Sequence, residues 1–322
     1  MKEQPLGRTG ETVSELALGT VYFGSRIERS TTFDILDTYY DAGGRFIDTA
    51  NNYATWLAGY DEAASEYAIG EWLDERGVRS EVTIATKVGF NPPSVGHTLD
   101  PEWILDSVDA SLRRLGIDTI DLLYAHVDDP DTPQSAVMEA FAAVVKAGKV
   151  RHLGTSNMPA WRIARANTIA EQNGWPRFEC VQPRFSYLIP NRDAAFGGQL
   201  QTTDELIDYC EQADLTLLPY SPTLSGAYGR DDRPIPDEYV RTENRLKMDR
   251  ITELAAARDV DGNALLLAWM RSREHPTIPI IGCSTVAQLE ANLETVELSL
   301  SDHELELLNS IESYGFDGWD KR

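Results

Sequence analysis

The sequence contains few cysteines, no long apolar segment and no apolar run at its start. Cys180, Cys210 and Cys283 are odd in number and widely spaced, which favours buried thiols over a disulfide framework or a zinc site. No apolar run approaches the roughly 20 residues that a membrane-spanning helix requires. The opening segment, MKEQPLGRTG, lacks the apolar core of a signal peptide, so the cytoplasm is the expected location.

Positive charge is also scarce. The 322 residues include 52 acidic and 29 basic side chains, giving a net charge of −23, and only six of the basic residues are lysines. Nucleic acids and anionic membranes bind to basic patches, so neither is expected as a partner. A dispersed acidic, lysine-poor surface suits a cytoplasm at molar salt, where charge screening shortens to about 3 Å. We therefore expect a halophilic source; the alternative is an acidic enzyme from an ordinary mesophile.

Short apolar runs rich in β-forming residues alternate with segments of helical periodicity. In PEWILDSVDASLRRLG, apolar residues recur at steps of three and four after the helix-start signal formed by Asp100 and Pro101. This alternation predicts βαβ units on a parallel sheet, and eight such units close into a (β/α)8 TIM barrel; an open doubly wound sheet is the alternative. We expect one barrel domain over residues 1–322, with an N-terminal β-hairpin, turning near Thr9, that covers the barrel bottom. The predicted strands are Leu16–Thr20, Phe46–Ala50, Val82–Val88, Ile120–His126, His152–Asn157, Cys180–Ser186, Thr216–Pro222 and Thr277–Gly282.

Polar residues occur near the ends of six consecutive predicted strands. In barrels of this type, the catalytic groups lie at the carboxyl ends of the strands. Asp48 follows the apolar residues Phe46 and Ile47, and a carboxylate in such a buried position requires a cationic partner. The six strands contribute Asp48, Lys87, His126, Ser156 with Asn157, Gln182, and Tyr220 with Ser221.

Motifs along nearly the whole chain resemble those of the aldo-keto reductase superfamily. In order they are GRTGETVSELALGT, FIDTANNY, ATKVG, DLLYAH, GKVRHLGTSN, VQPRFS, YSP and IIGCSTVAQLEANL. The resemblance implies a catalytic tetrad of Asp48, Tyr53, Lys87 and His126. Taken singly, each residue has a structural alternative: a cap, a packed aromatic, a salt bridge or a core histidine. Their positions at successive strand ends favour the catalytic interpretation.

The implied chemistry is the transfer of a hydride and a proton to a carbonyl group. Tyr53 would give its phenolic proton to the carbonyl oxygen, although the ordinary tyrosine pKa of about 10 makes it a weak acid at neutral pH. Lys87 is expected to stabilise the phenolate and to lower that pKa, and Asp48 to hold Lys87 charged. His126 would hydrogen-bond to the substrate oxygen and orient the carbonyl.

A nicotinamide cofactor is implied by the same resemblance. No Gly-rich GxGxxG turn occurs, so a Rossmann dinucleotide fold is not expected. NADP(H) is the expected cofactor, with NAD as an alternative, because the segment from Gly282 to Asn292 contains no arginine or lysine for a 2′-phosphate. An arginine from elsewhere, such as Arg184, Arg230 or Arg273, is the remaining source of a phosphate contact. The implied cofactor-binding residues are Thr20, Ser156, Asn157, Gln182, Tyr220, Ser221, Pro222, Leu224, Gly226, Gly282, Ser284, Gln288 and Asn292.

The substrate site is predicted from aromatic residues near the barrel mouth. The segment after Tyr53, ATWLAGYDEAASEY, is longer than the commonest form in the superfamily and places Trp56 near the mouth, together with Tyr22 and Phe90. These aromatics have an alternative role in packing the loops. The predicted function is an NAD(P)(H)-dependent oxidoreductase that interconverts an aldehyde, ketone or sugar carbonyl with its alcohol, and no metal site is expected. The alternative is a non-enzymatic, dinucleotide-sensing regulatory subunit of the same fold.

Overall fold

The centre of the molecule is an eight-stranded parallel sheet that curls into a barrel. The structure is a computed structural model that describes residues 1–60, 63–90 and 96–310. The rest of the predicted domain 1–322 lies outside these ranges, including Asp61 and Glu62 of the segment after Tyr53. In the described ranges the strands are β1 (Glu3–Pro5), β2 (Thr12–Ser14), β3 (Ala17–Gly19), β4 (Phe46–Asp48), β5 (Thr83–Val88), β6 (Ile120–Ala125), β7 (Val150–Ser156), β8 (Phe178–Gln182), β9 (Thr216–Leu217) and β10 (Ile280–Gly282).

Hydrogen bonds between neighbouring strands run around the whole barrel. The order is β10-β3-β4-β5-β6-β7-β8-β9, and every neighbouring pair is parallel. The end strands also meet: Leu217 of β9 bridges to Thr277, and Ile280 of β10 donates its N–H to the Pro219 carbonyl oxygen at 2.8 Å. The predicted (β/α)8 barrel is therefore confirmed, and the open doubly wound sheet is wrong.

The seventh and eighth barrel strands are shorter than the sequence predicts. Thr216–Pro222 contains a strand only at Thr216–Leu217, and Thr277–Gly282 contains one only at Ile280–Gly282. Pro219 in the first segment and Pro279 in the second have no N–H to donate to a neighbouring strand. The two segments still run side by side, so the barrel closes despite the short strands.

Helices connect the barrel strands and cover the outside of the sheet. The predicted helix beginning at Pro101 is confirmed: Asp100 accepts the backbone N–H of Glu102 at 3.0 Å, and Gly116 ends the helix in the left-handed conformation. In the described ranges the α-helices are α1 (Arg29–Asp41), α2 (Ala64–Arg76), α3 (Pro101–Leu115), α4 (Gln134–Lys146), α5 (Ala160–Asn173), α6 (Asp204–Gln212), α7 (Thr242–Arg258), α8 (Gly262–Arg271), α9 (Val286–Leu293) and α10 (Asp302–Asn309).

The N-terminal hairpin packs against the amino ends of the barrel strands. β1 and β2 pair antiparallel, and the backbone N–H of Gly7 donates to Thr216 Oγ1 at 2.7 Å, at the start of β9. A side chain at Gly7 would place its Cβ 2.3 Å from the Glu179 carbonyl oxygen, near the start of β8, so only glycine fits there. Leu6 inserts into the apolar cluster inside the barrel. The hairpin therefore closes the end of the barrel opposite the strands' carboxyl ends.

The inside of the barrel changes from apolar to polar along the strand direction. Successive strand residues alternate between the two faces, so Phe46 and Asp48 share the inner face, whereas Ile47 packs outward against the helices. The polar inner residues lie at the carboxyl ends, where the sequence predicts the site. The apolar interior cluster comprises Leu6, Val13, Ala17, Phe46, Ala85, Leu122, Tyr124, Cys180, Leu218, Ile278 and Ile280.

Three further features bear on the sequence-based expectations. Cys180, Cys210 and Cys283 are buried free thiols, as predicted. Across the described ranges, no helix combines the length and apolar character needed to cross a membrane. In the same ranges, no group of three or more His, Cys, Asp or Glu side chains could hold a metal ion.

Candidate active site

A buried lysine is at the centre of the polar group inside the barrel mouth. Lys87 Nζ donates to Asp48 Oδ2 at 2.5 Å, to the Thr49 carbonyl oxygen at 2.6 Å and to Tyr53 Oη at 2.9 Å. The side chains of Lys87 and Asp48 are 0% and 2% exposed. From the opposite wall, Gln182 Nε2 donates to Asp48 Oδ1 at 2.8 Å. The cationic partner expected for Asp48 is therefore Lys87.

Adjacent strands and helix α2 hold this group in place. β4 and β5 run side by side, with Asp48 opposite Ala85, which brings Asp48 next to the carboxyl end of β5. Behind the pair, Thr20 Oγ1 donates to the Asp48 carbonyl oxygen at 2.9 Å and accepts a hydrogen bond from Ser65 of α2 at 2.7 Å. Thr20, which the resemblance assigns to the cofactor, is fully buried and forms part of the wall beneath Asp48.

Tyr53 reaches the lysine from the turn that follows β4. Its backbone N–H donates to the Ala50 carbonyl oxygen at 3.3 Å, and the side chain is only 9% exposed. Burial raises the pKa of Tyr53 well above the usual value of 10, and the negative charge of Asp48 acts in the same direction. The lowering of this pKa by Lys87 stays a prediction, because the net direction is set by burial and by Asp48. Tyr53 is therefore a protonated phenol at neutral pH.

His126 lies next to Tyr53 at the end of β6. Its ring centroid is 6.2 Å from that of Tyr53 and 4.8 Å from that of Phe90. Burial lowers the pKa of His126 well below its usual value of 6.5, and the positive charge of Lys87 adds to the effect. The imidazole is therefore neutral at physiological pH, with one nitrogen able to donate a hydrogen bond and one able to accept.

A second polar group occupies the mouth beside β7, β8 and the segment after β9. Asn157 Nδ2 donates to the His126 carbonyl oxygen at 2.9 Å and to Ser156 Oγ at 3.0 Å. Its Oδ1 accepts from Tyr220 Oη at 2.8 Å and from the Leu200 N–H at 3.0 Å. The structure therefore brings Ser156, Asn157 and Tyr220 together, and Gln182 joins them to the lysine group through Asp48.

The loop after Tyr220 has an unusual backbone that suits a phosphate group. Ser221, Leu224, Ser225 and Gly226 all have positive φ, at 56°, 49°, 64° and 95°. Positive φ is uncommon for residues other than glycine, and successive turns of this kind form concave surfaces of backbone N–H groups that bind anions. The Pro222 carbonyl oxygen accepts from Ser186 Oγ at 2.6 Å, which fixes the loop from behind.

The predicted adenosine residues lie together beyond β10, at the strand end next to that loop. Ser284 donates its backbone N–H to Gln288 Oε1 at 2.8 Å, and Asn292 Nδ2 donates to the Gly282 carbonyl oxygen at 3.4 Å. Gly282 is exposed, and a side chain added there would meet nothing within 4 Å. The open surface and the adjacent loop of positive-φ residues together fit an extended, phosphate-containing cofactor.

Aromatic side chains surround the mouth in two groups. Tyr22 and Trp56 pack edge to face, with ring centroids 6.4 Å apart, and Trp56 is 46% exposed. Phe90 contacts His126, as described above, and also His97, whose ring centroid is 4.2 Å away. The sequence analysis did not identify His97 as a neighbour of Phe90. The available signal was a histidine shortly after the third barrel strand, in addition to His126.

A parallel barrel with polar groups at the carboxyl ends of its strands is typical of enzymes. The pattern of the aldo/keto reductase family matches residues 15–313, so the chain belongs to this family. The chain is 33% identical to norsolorinic acid reductase stcV of Emericella nidulans, over 92% of this chain and 77% of the relative. It is 32% identical to the uncharacterized oxidoreductase YrpG of Bacillus subtilis, over 95% and 94%. It is 27% identical to aryl-alcohol dehydrogenase [NADP(+)] of Phanerodontia chrysosporium, over 93% and 83%. The protein is a nicotinamide-dependent oxidoreductase of carbonyls and alcohols.

Proposed function

We propose that this protein reduces the carbonyl group of an aromatic aldehyde or ketone with NADPH. The observation that carries the proposal is the contact of 2.9 Å between Lys87 Nζ and the buried phenol of Tyr53. The aromatic side chains of Tyr22, Trp56 and Phe90 at the mouth support a flat, apolar substrate. The name of the related aryl-alcohol dehydrogenase supports the same class of substrate.

When bound in the proposed site, a reduced nicotinamide would supply the hydride for the carbonyl carbon. Tyr53 donates its proton to the carbonyl oxygen, which is consistent with the raised pKa that keeps it protonated. The phenolate left behind is stabilised by the Lys87 ammonium group, and Asp48 compensates the lysine charge. Neutral His126 donates a hydrogen bond that orients the substrate oxygen.

The proposed cofactor site extends from Tyr220 to α9. Tyr220 would stack on the nicotinamide, while Ser156, Asn157 and Gln182 hold its carboxamide. The loop Ser221–Gly226, with Pro222 and Leu224, would bind the pyrophosphate. Gly282, Ser284, Gln288 and Asn292 would bind the adenosine end, with NADP(H) as the main cofactor and NAD(H) accepted.

We propose further that the chain is one barrel domain working in a cytoplasm of high salt. The net charge of −23 and the shortage of lysine support this setting. The regulatory-subunit alternative has less support, because Asp48, Lys87, Tyr53 and His126 are all in reach of one another at the mouth.

The proposal is tested by assaying cofactor oxidation at molar KCl with an aromatic aldehyde, an aliphatic aldehyde and an aldose. We expect the highest kcat/KM for the aromatic aldehyde. Tyr53→Phe should lower kcat at least ~100-fold, because a positioned proton donor contributes about that much, and should leave the Kd for NADPH unchanged. The matched control is Tyr60→Phe, since Tyr60 donates to the Ser25 carbonyl oxygen and not to the lysine group.

Two outcomes would count against the proposal. Near-normal turnover by Tyr53→Phe would remove Tyr53 as the proton donor. Tight NADPH binding by the wild type without turnover of any carbonyl would favour the dinucleotide-sensing subunit.

A further inference from the structure

Arg184 is a rigidly held cation at the edge of the mouth. It follows β8, and its backbone is fixed on both sides: its N–H donates to the Leu200 carbonyl oxygen at 3.2 Å, and its carbonyl oxygen accepts from Thr202 N–H at 2.9 Å. The next residue, Phe185, donates its N–H to the Tyr220 carbonyl oxygen at 3.3 Å. The position of Arg184 relative to Tyr220 is therefore built into the fold.

The guanidinium group is held by aromatic rings and neutral oxygens. Its centre is 4.3 Å from the ring centroid of Phe196 and 5.9 Å from that of Tyr239. Nε donates to Tyr239 Oη at 3.1 Å, and Nη1 donates to Gln199 Oε1 at 2.9 Å. These contacts orient the plane of the guanidinium without neutralising its charge.

Among the residues that the structure describes, Arg184 has no carboxylate partner, although the protein is strongly acidic. Acidic residues outnumber basic ones by 52 to 29, yet no carboxylate in the described ranges lies within 4.0 Å of the Arg184 nitrogens. Among the same residues, Nη2 has no hydrogen-bond acceptor. By contrast, Arg230 in the following loop forms a two-point ion pair with Asp232, at 2.9 Å and 2.7 Å.

The guanidinium of Arg184 borders the loop of positive-φ residues. Nη1 of Arg184 is 3.5 Å from Ser221 Oγ, and Ser221 is the first of the positive-φ residues in that loop. A planar, oriented guanidinium beside this loop of positive-φ residues is a complementary arrangement for an anion with several oxygens. The adenosine residues, from Gly282 to Asn292, follow a different strand.

We propose that Arg184 binds the pyrophosphate of the nicotinamide cofactor and thereby raises the affinity for NADPH and NADH equally. The pyrophosphate is common to both cofactors, so a contact to it adds affinity without discriminating between them. This inference rests on the cofactor site proposed above. It gives the pyrophosphate a cationic contact and leaves the 2′-phosphate to neutral hydrogen bonds from Ser284 and Gln288.

The test is a set of binding titrations at one fixed salt concentration with wild type, Arg184→Met and Arg192→Met. The ligands are NADPH, NADH, adenosine diphosphate ribose, which has a pyrophosphate, and adenosine 2′-monophosphate, which has none. Arg184→Met should raise the Kd of the first three by the same factor, about 10- to 100-fold, as expected for a charged hydrogen bond. It should leave the fourth unchanged. Arg192→Met removes the same charge from an exposed position in the same loop and should change none of them.

Several results would overturn the inference. Unchanged Kd values for Arg184→Met, with tight binding by the wild type, would remove Arg184 from the site and leave the proposed function intact. A loss confined to NADPH and adenosine 2′-monophosphate would place Arg184 on the 2′-phosphate instead. Failure of the wild type to bind either nicotinamide cofactor would overturn the proposed function itself, and this inference with it.

A second variant covers the case in which Arg184→Met does not fold. Arg184→Lys keeps the charge but loses the planar fork, so it should raise the Kd values for the three pyrophosphate ligands by a smaller factor than the one expected for Arg184→Met. Wild-type Kd values in a folded Arg184→Lys variant would contradict a contact between the planar guanidinium and the pyrophosphate.

Discussion

At the scale of single residues, Lys87 shows how the barrel accommodates a buried charge. Burial lowers the pKa of Lys87 and raises that of Asp48, and the charge of each opposes the effect of burial on the other. The remaining hydrogen-bonding groups are satisfied by the Thr49 carbonyl oxygen, Tyr53 and Gln182. Removing one member of such a pair leaves an uncompensated charge, which costs about 3–5 kcal/mol. The fold must therefore keep all members of this group in contact.

We expect single residues to set the cofactor preference as well. Ser284 and Gln288 can offer a 2′-phosphate only neutral hydrogen bonds, which contribute about half as much as charged ones. We expect the wild type to prefer NADPH over NADH by less than about a hundredfold in kcat/KM, a gap under roughly 3 kcal/mol. Ser284→Arg should increase that ratio, because the exposed position admits a side chain that forms charged hydrogen bonds.

The control for Ser284→Arg is Ser310→Arg, which adds the same charge at the exposed end of α10. It should leave the ratio of kcat/KM values unchanged. A wild-type preference above about a thousandfold that Ser284→Arg does not alter would mean that other residues bind the 2′-phosphate.

The sequence predicted the site best where strand geometry fixes a residue. Asp48, Lys87 and Gln182 were found because strand ends in a barrel converge, and the structure brings them into contact. The net rise of the Tyr53 pKa was not predicted, because burial depends on the surrounding packing, which no motif encodes. The contacts of Arg184 depend on a loop that folds back from Phe185 to Thr202, so its orientation could not be predicted from spacing.

At the scale of elements, the alternation of strands and helices predicted the correct fold. Prolines explain why two of the predicted strands are too long. Each predicted barrel strand has a counterpart in the structure. Barrel strands are buried between the helices on one face and the barrel interior on the other, so each one appears in the sequence as a short apolar run. Strands β9 and β10 are shorter than predicted because Pro219 and Pro279 interrupt the hydrogen bonding between neighbouring strands. Hydrogen bonds from neighbouring residues, such as Ile280 N–H to Pro219 O, keep the barrel closed there.

The contact between α7 and α10 depends on an ion pair that acid should break. Arg258 donates two hydrogen bonds to Glu304, at 2.7 Å and 2.5 Å, and Ser301 forms a capping box with the same carboxylate. These contacts lower the pKa of Glu304 from 4.5 to about 2. Because the folded-state pKa lies below the unfolded value, the stabilisation is fully present above about pH 4.5 and is lost as the pH falls toward 2.

We expect Glu304→Gln to lower the free energy of unfolding by about 1 kcal/mol at pH 7, in keeping with a pair near the surface. Glutamine preserves the capping box, so the loss reports the ion pair. In urea unfolding between pH 7 and 3, the difference from wild type should shrink as the pH falls. Glu306→Gln, at an exposed position of the same helix, should have little effect. A constant difference across this pH range would contradict the linkage.

At the scale of the whole molecule, the charge distribution is strongly one-sided. Two of the six lysines, Lys87 and Lys247, are buried, so they contribute little positive charge to the surface. Many surface arginines are already paired, as Arg76 is with Asp37 and Arg258 with Glu304. In the part of the chain that the structure describes, many acidic side chains therefore have no cationic partner, and their negative charges repel one another across the surface. Net repulsion of this kind weakens the compact state unless salt screens it.

Salt should therefore control both stability and activity. Raising the ionic strength from 0.1 M to 1 M shortens the screening length from about 10 Å to about 3 Å, which removes most repulsion between neighbouring surface carboxylates. We expect the midpoint of thermal unfolding and the rate of carbonyl reduction to rise steeply between dilute buffer and molar KCl. Sucrose at matched osmolarity is the control, because it stabilises by exclusion from the surface without screening charge. If the effect is electrostatic, sucrose should reproduce only a small part of the rise. Full activity and an unchanged midpoint in dilute buffer would show that the acidic surface is not an adaptation to salt.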